Sequence, residues 1–173
     1  MNYTLSEIAR ICGGTFTGEN RRVTEVVTDS RSCGMPAAPL FVAMCGARHD
    51  SHDFVDGMYA RGVRAFPLDE RDGAGYVVVG NAIDALQRLA ADWRRRFGGP
   101  VVGITGSNGK TVVKEWIAQT APDGVKLFRS PRSYNSQLGA ALSLLMIEGD
   151  ERFALIEAGI SQPGEMARLE RMI

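Results

Sequence analysis

The sequence predicts an α/β protein: a small N-terminal α/β domain, followed by the first part of a parallel-sheet domain built around a phosphate-binding loop. Three observations predict it. Pro100 to Gln119 reads PVVGITGSNGKTVVKEWIAQ, an apolar β-branched run, a glycine loop, Lys-Thr, then a helix-forming stretch. Upstream, through about residue 80, short apolar runs alternate with helical stretches. After residue 100 there are three β units, fewer than a doubly wound ATPase sheet usually carries. The second domain therefore reads as incomplete.

In chain order, Thr4-Leu5-Ser6-Glu7 fits a capping box, with Thr4 as N-cap of a short helix to about Ile11 that Gly13-Gly14 stops. Phe16 to Gly18 reads as a turn, and Val23 to Thr28 as a strand. Pro36 and Pro39 mark a loop before a strand at Leu40 to Met44, ended by Gly46. Asp53 is the expected N-cap of a helix through Val55, Met58 and Tyr59, closed by Gly62. Val63–Phe66 and Tyr76–Val79 read as strands. Asn81 caps a longer helix whose Ala85, Leu86, Leu89, Ala90 and Trp93 have helical spacing, and Gly98-Gly99-Pro100 breaks it. These breaks give a domain at 1–80, a connecting helix at 81–99 and the start of a second domain at 100–173. Beyond the phosphate loop, Val125–Phe128 and Phe153–Ile156 are strand candidates. Gly139–Ile147 is a helix too evenly apolar for a surface, and Pro163 opens a last helix.

Composition narrows the class. Of 173 residues, 45% are hydrophobic and 23% charged, which is globular. Twenty basic and twenty acidic residues cancel, which gives no support for nucleic acid or an anionic membrane as the main partner. Arg94, Arg95 and Arg96 read as the solvated end of a helix. No apolar run approaches membrane-spanning length and the N-terminus lacks a secretory pattern, so the expected location is the cytoplasm. Cys12, Cys33 and Cys45 are odd in number, form no CxxC pair, and are expected as reduced thiols. His49 and His52 flank Asp50 without a third ligand, which argues against a metal site there.

The chemistry concentrates in a few stretches. In Gly106-Ser107-Asn108-Gly109, the glycines let backbone N–H groups turn toward a phosphate at a helix N-terminus. Lys110 can reach the outer phosphates of ATP, and Thr111 can offer its hydroxyl to Mg2+. The spacing is the tight G-x-x-G-K-T, with Ile104 where the common pattern has its first glycine; the bland alternative is a turn with a surface lysine. Glu157 ends the hydrophobic run FALIEAG at a strand's carboxyl end, where a carboxylate can face that Mg2+, or simply be solvated. Asn135 and Ser136 precede an apolar helix and can hydrogen-bond phosphate or substrate, or only cap the helix. Thr28-Asp29-Ser30-Arg31 offers an anion site through Arg31, or an ordinary turn with an Asp–Arg pair.

Taken together, these motifs resemble the Mur ligases, the ATP-dependent amino-acid-adding enzymes of peptidoglycan synthesis. TGSNGKT is similar to their short phosphate loop, and TDSR with LFVAMCGARHDSHDF to their N-terminal UDP-sugar-binding domain. SPRSYNSQLG and EAGISQPGEM stand where the branch that adds D-alanyl-D-alanine carries TPGNLNNEIG-like and EMGAN-like segments. Ser51 departs from a usual glycine, and Ser133 and Ser136 from asparagines, leaving Asn135 as the retained one. The wording also resembles chains in which such a ligase is fused to an alanine racemase, so the resemblance implies that fusion as one arrangement of a longer chain.

The resemblance implies ATP and Mg2+ as cofactors, and UDP-N-acetylmuramoyl-tripeptide and D-alanyl-D-alanine as substrates. Lys110 and Glu157 would be catalytic, Thr111 and Glu157 would hold Mg2+, and Gly106 to Thr111 would cradle the ATP phosphates. Ser30, Arg31, Asn135 and Ser136 would bind substrate. The competing expectations are a folylpolyglutamate synthetase-like ligase, against which residues 1–80 argue, and a nucleotide-binding module without ligase activity.

Overall fold

The computed structural model describes residues 1–31, 37–44, 50–63, 65–66, 74–132 and 134–173, with the side chain of Phe66 not described. The expectations for Cys33, Pro36, Cys45, Gly46, His49 and Ser133 lie outside the described residues. The chain divides into two compact units, Met1–Ala85 and Leu86–Ile173.

The first unit opens with β1 (Tyr3–Thr4) and α1 (Leu5–Cys12). Thr4 and Glu7 form the expected capping box, and Gly13 ends the helix in the left-handed conformation at φ 70°. Leu5, Ile8, Ala9 and Cys12 make its buried face. Residues expected as a turn are instead β2 (Thr15–Gly18), where Thr-Phe-Thr favours extended backbone. The strand expected at 23–28 is divided into β3 (Arg22–Val23) and β4 (Glu25–Val27), followed by β5 (Pro39–Phe41). Asp50, and not Asp53, caps the next helical segment: its carboxylate accepts from His52 N, starting a 3-10 turn at Ser51–Phe54 that runs into α2 (Val55–Ala60). Then come β6 (Ala65–Phe66) and β7 (Gly75–Val78).

β2 pairs antiparallel with β7, which pairs parallel with β6. β4 and β5 pair parallel, and β1 and β3 antiparallel. Val27, Phe41, Val55, Met58, Val63 and Tyr76 pack into this unit's core. Ser51 has a structural use here. Its hydroxyl donates to Met44 O at 2.7 Å and accepts from Met44 N at 2.9 Å, fastening the 3-10 turn to the end of the β5 segment.

α3 (Ala82–Arg96) runs across the division. Asn81 caps it as expected, its side chain accepting from Asp84 N at 3.0 Å. In the second unit Trp93 Nε1 donates to Ile147 O and Arg94 Nε to Ile173 O, each at 2.9 Å. The Gly98-Gly99-Pro100 break lies inside this unit.

The second unit alternates strand and helix: β8 (Val101–Ile104), α4 (Lys110–Gln119), β9 (Leu127–Arg129), α5 (Gln137–Leu145), β10 (Phe153–Glu157) and α6 (Glu165–Met172). The three strands form one parallel sheet in the order β8-β10-β9. α5 buries every residue from Gly139 to Leu145, as its even apolarity predicts. Among the described residues the fold gathers the carboxylates of Glu148, Asp150 and Glu151. Their charge is already engaged: Lys126 bridges Glu148 and Asp150, and Glu151 accepts from the N–H groups of Glu148 and Gly149.

Candidate functional site

In the parallel sheet, Glu157 pairs in register with Ile104, so β10 and β8 end at the same edge. That edge is where an open α/β sheet places its ligand. From Ile104 the chain enters the Gly106–Gly109 loop. Gly106 at φ 145° and Gly109 at φ 77° occupy backbone conformations closed to most side chains, which allows the tight return from strand to helix. Gly109 is the N-cap of α4 and no side chain caps that end. Helix N–H groups left in this way suit an anion. Ser107 and Asn108 are exposed. Lys110 Nζ curls back to donate to Gly106 O at 2.6 Å.

Thr111 begins the inward face of α4. Its hydroxyl donates to Glu157 Oε2 at 3.1 Å, so the two expected metal ligands meet although 46 residues separate them. Glu157 is fully buried, which rules out the solvated strand-end carboxylate. Its backbone N–H donates to Ser130 Oγ at 3.1 Å.

A buried carboxylate needs a counter-charge, and Lys114 supplies it. The Lys114 side chain is also fully buried, with Nζ 2.9 Å from Glu157 Oε1. It donates to Ser130 O and Arg132 O, both at 2.6 Å. Oε1 accepts no directed hydrogen bond, so its contact with the ammonium is ionic. Sequence reasoning passed over Lys114. The available signal was its spacing of three from Thr111, which puts both on one helix face. Val112, Val113 and Trp116, the apolar residues a core-facing stripe would use, are exposed instead.

Asn135 and Ser136 lie on the loop from β9 to α5. Asn135 O accepts from Gly159 N at 2.7 Å, joining this loop to the chain just past Glu157. Ser136 is the N-cap of α5, its hydroxyl accepting from Gly139 N at 3.0 Å. Beyond β10, the Glu165 carboxylate accepts from the N–H groups of Ser161 and Gln162, which hold it below the usual carboxylate range and close the turn before α6.

Ser30 and Arg31 belong to the first unit. Ser30 O accepts from the Arg61 guanidinium. Arg31 Nε and Nη2 both donate to the Asp29 carboxylate at 2.9 Å. Those bonds pull Asp29 down to about 2 from its ordinary value. The fold therefore gathers the loop, Thr111, Glu157, Asn135 and Ser136 in the second unit, and pairs Arg31 with Asp29 in the first.

Residues 104–173 match the Mur ligase middle domain. A UDP-N-acetylmuramoyl-tripeptide–D-alanyl-D-alanine ligase from Synechocystis is 33% identical over 160 residues, covering 90% of this chain and 35% of its own. A crystal structure of MurF from Acinetobacter baumannii superposes with a TM-score of 0.87 at 24% identity, covering 99% of this chain and 39% of that one. The crystal structure of MurF ligase from Thermotoga maritima in complex with ADP has a TM-score of 0.75 at 31% identity, over 87% of this chain and 35% of that one. The chain spans about a third of the length of these curated relatives, from 32 to 38%.

Proposed function

Because the chain belongs to the Mur ligase family, we propose that it is part of an ATP-dependent ligase that joins D-alanyl-D-alanine to UDP-N-acetylmuramoyl-tripeptide. The observation that carries the ATP half is the 3.1 Å bond between Thr111 Oγ1 and Glu157 Oε2, at the aligned ends of two parallel strands. The complex of the Thermotoga relative with ADP supports nucleotide binding here as well. Both substrates are charged and water-soluble, and one is nucleotide-linked, which fits work in the cytoplasm. No described helix is long and apolar enough to cross a membrane.

Mg2+ suits the donors present. A hydroxyl and a carboxylate are hard oxygen ligands, and Thr111 Oγ1 and Glu157 Oε2 already meet at 3.1 Å. Thr111 and Glu157 would hold the ion, which supplies positive charge against the phosphate oxygens. The chain's own residues do the rest. The N–H groups of Gly106 to Gly109 line the ATP phosphates. Lys110 exchanges its bond to Gly106 O for the phosphoryl group in transfer, where it neutralises developing charge. The tripeptide's terminal carboxylate takes that phosphoryl group, and the amine of D-alanyl-D-alanine displaces phosphate from the acyl phosphate. Ser30 and Arg31 bind the uridine diphosphate end, with Arg31 leaving Asp29 to reach it. Asn135 and Ser136 line the substrate side of the loop from β9 to α5.

The test is ADP release by the whole ligase given both substrates, with circular dichroism as the control for folding. Lys110→Ala is expected to slow release a few hundredfold, about 3–4 kcal/mol of barrier. A variant turning over within about threefold of the parent would remove ATP chemistry from this loop, since under about 1 kcal/mol then remains for Lys110 to supply.

A further inference from the structure

Lys114 is fully buried, and a desolvated ammonium is tolerated only where its partners are fixed. Three elements supply them. The segment after β9 gives the carbonyls of Ser130 and Arg132, each at 2.6 Å. β10 gives Glu157 Oε1 at 2.9 Å. α4 itself gives Glu115 at 3.5 Å, but Glu115 also pairs with Arg129 at 3.3 Å. Arg132 has a φ of 50°, alone among the described non-glycine residues in being positive. A side chain in that region costs free energy that surrounding contacts must offset, and its carbonyl is one of the two that accept from Lys114. The ammonium is thus anchored by two backbone carbonyls as well as by the carboxylate.

We propose that Lys114 is a positioning residue for Glu157: anchored by the Ser130 and Arg132 carbonyls, it holds Oε1 and so leaves Oε2 aimed at Thr111. It also holds the carboxylate in place before any metal arrives. The inference rests on the reading of Thr111 and Glu157 as the Mg2+ ligands, and the test separates the two.

Mn2+ serves as a paramagnetic stand-in for Mg2+, titrated into the chain with ATP while bound Mn2+ is followed by electron paramagnetic resonance. If the parent chain takes up no more Mn2+ than the nucleotide alone, the metal-site reading itself fails, and this inference with it. If the parent binds, Lys114→Met is expected to raise the Mn2+ needed for half-saturation tenfold or more. In a Glu157→Gln background the same change should shift it less than twofold, because Lys114 acts through that carboxylate. An equal shift in both backgrounds, or none in either, overturns the proposal. Should Lys114→Met not fold, the unmodified chain carries the test through the nitrogen-15 resonance of its lysine ammonium groups. The slowly exchanging Lys114 signal should move on adding Mg2+ with ADP and stay fixed in Glu157→Gln. A signal unmoved in the parent, or one that moves equally in both, overturns it.

Discussion

At the scale of single residues, Asp29 and Arg31 show how a group proposed for recognition is held by a neighbour. The Asp29 carboxyl is pulled to about 2 by the two guanidinium bonds. A carboxylate depressed on folding adds stability above its unfolded value of 3.8 and loses it as pH falls through about 2. Both side chains are well exposed, so solvent screening leaves that contribution small. The ionisation itself is the better reporter. Followed by NMR, the Asp29 carboxyl of the free chain should titrate near pH 2. With saturating UDP-N-acetylmuramoyl-tripeptide it should move up toward 3.8, because Arg31 has turned to the diphosphate. A midpoint that ignores the ligand would leave Arg31 as a structural partner of Asp29 only.

Among the elements, the loop from β9 to α5 is set by close packing. A Cβ on Gly139 would lie 2.9 Å from the carbonyl carbon of Tyr134 and 3.0 Å from its Cα, both backbone atoms that cannot swing aside. Gly139→Ala should therefore destabilise the chain by about 1–3 kcal/mol, read as a lower urea midpoint, and should displace Asn135 from Gly159. What the sequence made legible follows from range. The capping box of α1, the Asn81 cap and the glycine loop rest on residues within a few positions of one another, and each was readable. β2 was read as a turn because its pairing with β7 depends on residues about sixty positions away, Thr15 with Val78. Asp50 took the cap expected of Asp53 because a 3-10 turn precedes α2. In the site, Thr111 and Glu157 were legible from motif and strand end. Lys114 was not, since a lysine among valines on a helix reads as the solvated face. Here the valines are exposed, and the lysine is drawn inward by carbonyls and a carboxylate far along the chain.

At the level of the whole molecule, the two units give the proposed ligands separate addresses. The phosphate loop and Glu157 lie within Leu86–Ile173, while Ser30 and Arg31 lie within Met1–Ala85. Hydrogen exchange on the intact chain can read both at once. Mg2+ with ADP should slow exchange at amides of the Gly106–Gly109 loop and the first turn of α4. UDP-N-acetylmuramoyl-tripeptide should slow it around Ser30 and Arg31. If both ligands protected amides of one unit alone, the division of labour would be wrong, whatever the fate of Lys110.

The order of the parallel sheet also sets a timetable on the ribosome. β10 lies between β8 and β9 but is made after both. Lys114 precedes its two carbonyl partners by 16 and 18 residues, and Thr111 precedes Glu157 by 46. At roughly 5–20 residues per second, the carbonyls emerge about 1–4 s after the lysine, and the carboxylate about 2–9 s after the threonine. During that interval α5 leaves the tunnel ahead of the central strand it is to pack against. The flanking strands of the sheet are thus synthesised first, and the arrival of one strand both covers α5 and delivers the carboxylate to its waiting lysine.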